Sequence, residues 1–158
     1  MKQALAALVI GLSLIMGAGS VQAKVIDVAT CSSPKGWVYY NYSGVMPKNK
    51  SGWQEDAISK GVFTIKKLSD NTYDILVKDS RGALFSLNQD GGKVMLVRYN
   101  IDDVAYLHYS IIGVVEIYNI FKEKDGNIKF SLIQNKGFTS GIGKSSVMIG
   151  DCSHAIFP

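Results

Sequence analysis

The chain has 158 residues, of which 47% are hydrophobic, and its 17 basic and 13 acidic residues give a formal net charge of +4. The basic residues are scattered, with the densest cluster at 47–50, whereas a nucleic-acid surface needs Lys and Arg concentrated on one face. A nucleic-acid partner is therefore not expected. The length suits one domain with its own hydrophobic core.

The first segment, 1–23, has the features of a signal peptide. A short basic start precedes an apolar run at 4–18, and Val21 and Ala23 occupy the −3 and −1 positions of a cleavage site. The run is shorter than the roughly 20 apolar residues that span a membrane, so a retained anchor is the weaker alternative. We expect an exported protein, periplasmic or extracellular, with one β-rich domain over 24–158 and no transmembrane segment after cleavage.

The rest of the chain consists of short runs rich in Val, Ile, Tyr and Phe, separated by Gly, Asp, Asn and Ser. Such runs predict strands, which we place at 36–41, 60–68, 72–79, 82–88, 93–99, 103–110, 114–122, 127–135 and 143–150. Most connections are short, and short turns join antiparallel neighbours. We predict an all-β fold, a small antiparallel meander β-barrel of eight or nine strands and lipocalin-like size, because closure removes exposed edges. A two-sheet β-sandwich is the alternative.

One short helix is predicted at 52–60. Ser51 and Gln54 have the spacing of a capping box, acidic residues follow in the first turn, and Gly61 can end the helix.

Two of the predicted strand segments, 93–99 and 103–112, are apolar on both faces. An antiparallel sheet with one wet face alternates instead. Either a second layer covers these strands, or they meet a partner or a ligand.

The two cysteines, Cys31 and Cys152, lie near the two ends of the predicted domain. In an oxidising compartment such a pair predicts a disulfide, which would require the first and last strands to lie side by side. The alternative is a catalytic thiol, which needs a free thiolate beside a base.

Acidic residues next to glycine recur at the strand boundaries. Asp79 precedes Gly82, Asp90 precedes a glycine pair, and the segment 124–127 reads KDGN. Asp followed by Gly supplies the side-chain-to-backbone hydrogen bond and the positive φ of tight turns. We interpret these aspartates as turn residues rather than as a catalytic carboxylate pair.

Candidate chemistry is limited to His108, which Glu116 on the next predicted strand can approach. A carboxylate can orient a histidine as a general base, but no serine of the chain has the context of a nucleophile. Two histidines and two paired cysteines make a zinc site improbable. We expect no metal and no cofactor, and we assign no catalytic residue.

Aromatic side chains with polar tips give binding surfaces and barrel mouths large contact areas at low entropy cost. Several lie on the predicted strands, where the alternative role is to fill the core. We predict a ligand-binding set that consists of Trp37, Tyr39, Trp53, Tyr106, His108 and Tyr118.

The motifs CSSPKGW, SGWQEDAISKG, YDILVKD, LFSLNQDGGKV and MIGDC span most of 31–152. In this series the chain resembles an uncharacterised group of small exported bacterial proteins, a domain of unknown function. The resemblance implies an envelope-side location and a small β-rich domain, and it implies no activity. We expect a non-enzymatic binding module for a small apolar molecule or an envelope protein. The alternatives are a small hydrolase or isomerase that uses His108, and a surface scaffold that self-associates through its doubly apolar strands.

Overall fold

A computed structural model describes residues 25–43, 45–89 and 91–157. The predicted leader at 1–23 and the predicted turn residue Asp90 lie outside the described residues. Within them the chain forms ten strands. These strands are β1 (Ile26–Tyr40), β2 (Gly52–Ala57), β3 (Val62–Lys67), β4 (Tyr73–Lys78), β5 (Leu84–Ser86), β6 (Lys93–Asn100), β7 (Asp103–Tyr109), β8 (Val114–Lys122), β9 (Ile128–Lys136) and β10 (Lys144–Ala155).

The strands form a closed antiparallel β-barrel, which confirms the predicted fold. Eight of them make the ring, in the order β1–β10–β9–β8–β7–β6–β4–β3 and back to β1. The other two lie outside this ring, with β2 on the second half of β1 and β5 on β4. Antiparallel pairing of successive strands through short turns produces this meander.

The first strand is longer than predicted and pairs with three other strands. Its first half, from Ile26 to Ser32, pairs with β3, and its second half, from Lys35 to Tyr40, pairs with β2, while β10 follows both halves on the other side. The register is irregular between the halves. The backbone of Ser33 there has a positive φ of 49°. Strand β2 and the second half of β1 therefore extend one wall of the barrel beyond the ring.

The predicted helix at 52–60 is wrong, because residues 52–57 form strand β2. Trp53 pairs with Tyr39 across the two strands, and their rings meet edge to face with centroids 5.4 Å apart. A helix of two turns is marginal in water even with good caps, so pairing with β1 outweighs the local preference. The described residues contain two short 3-10 turns, Lys48–Lys50 and Phe138–Ser140, and no helix long and apolar enough to cross a membrane.

Strands β6 and β7 carry apolar residues on both faces, and the two faces have different surroundings. Val94 and Tyr106 point inward and are buried in the core. Tyr99 is the cross-strand partner of buried Val104, so it lies on the inward face and is exposed near the end of β6. Met95 and Tyr109 point outward and are exposed. No second layer of described residues covers them. The barrel interior itself is packed by large side chains, the largest of which are Tyr106, Tyr118, Phe130, Ile65, Ile75, Ile120 and Leu132.

The predicted disulfide is confirmed. Cys31 of β1 and Cys152 of β10 are direct cross-strand partners and are bonded to each other. The bond therefore joins the first and last strands of the ring, where the barrel closes.

The described acidic turns have the expected role. The Asp79 carboxylate accepts hydrogen bonds from the backbone amides of Arg81 and Ala83, both at 2.9 Å, and Gly82 has a φ of 90°. Asp125 accepts from the amide of Asn127 in the same manner. These bonds stabilise the turn conformation directly.

The barrel is least completely paired between β4 and β6, where Tyr73 and Val94 form the one backbone pair. The side chain of Asn88 bridges this gap. Its Nδ2 donates to the Tyr73 carbonyl at 2.7 Å, and its Oδ1 accepts from the Val94 amide at 3.2 Å. The amide side chain thus replaces backbone hydrogen bonds that the two strands do not make with each other.

Replacing Asn88 by Ala is expected to lower the free energy of unfolding by about 1–2 kcal/mol, because it removes two hydrogen bonds and leaves partly buried backbone groups unpaired. The Val94 amide should also exchange faster with solvent, which hydrogen-exchange NMR measures. The control is Asn135→Ala on the exposed face of β9, with an expected change below about 0.5 kcal/mol. Equal effects of the two variants would show that Asn88 does not bridge the gap.

Candidate functional site

A cavity of about 300 Å³ opens at one end of the barrel. Its walls are mainly apolar side chains, which include Phe63, Val77, Phe85, Leu87, Val114 and Leu132. The rings of Phe63 and Tyr118, with centroids 5.9 Å apart, separate this cavity from the filled interior. The barrel is thus packed through its middle and open at the end where β7 and β9 finish and β8 and β10 begin.

A network of polar side chains borders the cavity on three adjacent strands. His108 of β7, Glu116 of β8 and Gln134 of β9 are direct cross-strand neighbours and are all buried. Glu116 Oε2 accepts from His108 Nδ1 at 3.0 Å and from the Tyr118 hydroxyl at 2.7 Å. Gln134 Nε2 donates to Glu116 Oε1.

Glu116 is the centre of this network and is ionised. Burial by itself would raise its pKa, but the hydrogen bonds from His108, Tyr118 and Gln134 outweigh burial and lower the pKa of Glu116 below its ordinary value. An ionised carboxylate can only accept hydrogen bonds, so His108 Nδ1 is the donor in its contact with Glu116. Burial and the negative charge of Glu116 raise the pKa of Tyr118, which stays a neutral donor.

Two buried polar atoms close to this network have no hydrogen-bond partner among the described residues. They are His108 Nε2 and the Ser146 hydroxyl. The His108 ring occupies space that Gly92 leaves free, because a Cβ at position 92 would lie 2.6 Å from Nε2 and 2.2 Å from the Leu87 carbonyl oxygen. Glycine is therefore required at position 92 by close packing.

The cavity rim carries charged side chains. Lys136 ends β9, lines the cavity and is the cross-strand partner of Lys144 at the start of β10. Lys144 Nζ lies 3.7 Å from Asp56 Oδ2. Asp79 also lines the cavity, and its carboxylate is held by the turn bonds described above and by Arg81 Nε at 3.4 Å.

The predicted ligand-binding residues lie in three places. His108 and Tyr118 line the cavity. Tyr106 is buried in the barrel interior, where its ring contacts Tyr73. The other three, Trp37, Tyr39 and Trp53, lie on the outer surface of β1 and β2 and are 54%, 40% and 65% exposed. Two of the six predicted ligand-binding residues therefore lie at the cavity. The predicted contact between His108 and Glu116 is found there as well.

Sequence reasoning missed Gln134 and Lys136. Both continue the inward alternation of β9 that Phe130 and Leu132 begin, so the period-two pattern could have assigned them to the interior. A polar or charged residue at an inward position near the end of a strand is the signal that identifies a barrel mouth. Within the described ranges, no group of three or more His, Cys, Asp or Glu is arranged to hold a metal ion.

Comparisons of the chain with protein-family models, with curated proteins and with solved structures find no match.

Proposed function

We propose that the protein is a non-enzymatic binding module that holds a small apolar molecule in the barrel-mouth cavity. The observation that carries this proposal is the cavity itself, whose volume of about 300 Å³ is at the lower end of the range of small-molecule sites. Its apolar walls gain roughly 25 cal/mol for each Å² that a ligand removes from water. The buried polar network beside them is of the kind that fixes a ligand's orientation.

The alternative function, a hydrolase or isomerase with His108 as general base, has less support. His108 Nε2, the nitrogen that would take a proton, is covered by neighbouring protein atoms. A general base must come within hydrogen-bond reach of its substrate. The serine that lines the cavity, Ser110, accepts a hydrogen bond from the Val114 amide and has no base beside it among the described contacts. The polar network therefore supports a structural and orienting role.

An envelope protein as partner would use the outer surface of the barrel. Trp37, Val147 and Ile133 are exposed cross-strand neighbours on β1, β10 and β9 and form an apolar row. The structure does not indicate what covers this row, so the cavity carries the proposal. We also propose that the protein acts outside the cytoplasm, because a structural disulfide persists in oxidising compartments and the sequence begins with a predicted signal peptide.

The proposal is tested by filling the cavity. Replacing Val114, which lines the cavity, by Phe should abolish binding of 1-octanol as measured by calorimetry, because the new ring occupies the volume that the ligand needs. We expect the unchanged protein to bind octanol in the micromolar to millimolar range, as befits a ligand of few atoms.

The matched control is Val115→Phe, the same substitution one position along β8 on the outer face, where the side chain is 46% exposed. This variant should bind octanol as the unchanged protein does. Equal octanol affinity in both variants, or no octanol binding by the unchanged protein, would contradict a binding site in the cavity.

A further inference from the structure

We infer that the ligand of this cavity is a small apolar molecule with one anionic head, of the carboxylate class, and that Lys136 binds the head. This inference rests on the proposed function, since it assumes that the cavity holds a ligand. It adds the chemistry of that ligand and the residue that recognises it.

Lys136 is one of the side chains that line the cavity. It is the last residue of β9, and its inward-facing predecessors Leu132 and Gln134 line the same cavity at greater depth. Its cross-strand neighbour on β8 is Val114, which also lines the cavity. The lysine thus lies at the rim with apolar surface below it, an arrangement that fits a molecule with an apolar tail and a polar head.

A second lysine, Lys144, lies beside Lys136 on the neighbouring strand. Among the described residues Lys136 has no ion pair, whereas Lys144 is paired with Asp56. The two lysines are direct cross-strand partners on the inward face, and like charges in this position are destabilising. Burial and the charge of Lys136 lower the pKa of Lys144, while the charges of Asp56 and Glu116 oppose the change. An anion beside Lys136 would relieve this repulsion.

Two acidic residues, Asp79 and Glu116, also line the cavity. The Asp79 carboxylate is occupied by two backbone amides and by Arg81. Glu116 already accepts hydrogen bonds from three side chains. The hydrogen-bonding capacity of both carboxylates is therefore used within the protein. Lys136 is the charged lining side chain that is left for a ligand.

The test compares three probes of the same length, octanoate, 1-octanol and octylamine, by calorimetry at neutral pH. We expect the protein to bind octanoate about tenfold more tightly than octanol, because a charge-assisted hydrogen bond is worth about that factor. Octylamine should bind most weakly, because its head carries the same charge as Lys136. Replacing Lys136 by Gln should weaken octanoate binding about tenfold and change octanol binding by less than about twofold.

Two further variants make the test specific. Lys93→Gln removes the same charge at the same end of the barrel from an outward-facing, exposed position, and it should leave all three affinities unchanged. Lys144→Gln removes a lysine that Asp56 already compensates, and it should weaken octanoate binding less than Lys136→Gln does.

The results expected if the ligand is not anionic differ from those expected if the cavity binds no ligand. Octanol binding that Val114→Phe abolishes, together with octanoate binding no tighter than octanol or weaker than octylamine, would overturn the anionic ligand and keep the binding function. An equal loss of octanoate affinity in Lys93→Gln and Lys136→Gln would overturn the role of Lys136. Absence of binding by all three probes would overturn the proposed function.

Discussion

Replacing Cys31 and Cys152 together by alanine is expected to lower the free energy of unfolding by about 3–5 kcal/mol. The bond closes a loop of 121 residues, so the unfolded chain gains considerable freedom without it. It also joins the two strands whose pairing closes the barrel. Alanine suits the test because Cys31 is 1% exposed and a hydroxyl there would be buried without a partner.

Urea denaturation measures this loss as a lower transition midpoint. The unchanged protein with its disulfide reduced by dithiothreitol is the internal control, and its midpoint should coincide with that of the double variant. A double variant that unfolds within about 0.5 kcal/mol of the oxidised protein would show that the barrel closes without help from this bond.

Replacing Glu116 by Gln is expected to cost about 2–4 kcal/mol, because removing one member of a buried charged network leaves its partners unpaired. His108, Tyr118 and Gln134 all donate to the carboxylate. A glutamine amide offers one acceptor oxygen, and its own NH₂ group would face one of these donors. The loss is measured by urea denaturation, and Glu123→Gln, at an exposed turn position, should change stability by less than about 0.5 kcal/mol.

The same residue makes stability depend on pH in the acid range. The folded protein lowers the pKa of Glu116 below its ordinary value of 4.5, so the folded state binds fewer protons than the unfolded state between the two values. Stability from Glu116 is therefore fully present above about pH 4.5 and is lost as the pH falls through the lowered pKa. The acid-side loss should be smaller in Glu116→Gln than in Glu123→Gln. Identical acid profiles would contradict an ionised Glu116 in the network.

The fold was largely predictable because its signals are local. In β9, Phe130 and Leu132 alternate with polar neighbours, and the strand lies within one residue of its predicted bounds. The two cysteines correctly indicated that the first and last strands pair. The first half of β1 gave no such signal, since its sequence IDVATCSSPK lacks regular alternation. Its strand conformation comes from the pairing with β3 and β10, which are distant in sequence.

The candidate site was less predictable because it depends on register between strands. His108 and Glu116 lie on consecutive strands, so their contact followed from a short connection. The contribution of Lys136 depends on its inward direction and on its pairing with Lys144, which requires knowledge of how β9 meets β10. For the aromatic residues, residue type alone could not distinguish exposed Trp37 from buried Tyr106.

The most direct test of a ligand site in the barrel mouth is an NMR titration of the ¹⁵N-labelled protein with 1-octanol. We predict that the amide signals of cavity-lining residues, such as Leu87, Ser110 and Val114, shift together and saturate with a single dissociation constant. Signals of the outer row, Trp37, Ile133 and Val147, should remain in place. Shifts confined to that outer row, or spread over the surface without saturation, would contradict a binding site in the cavity.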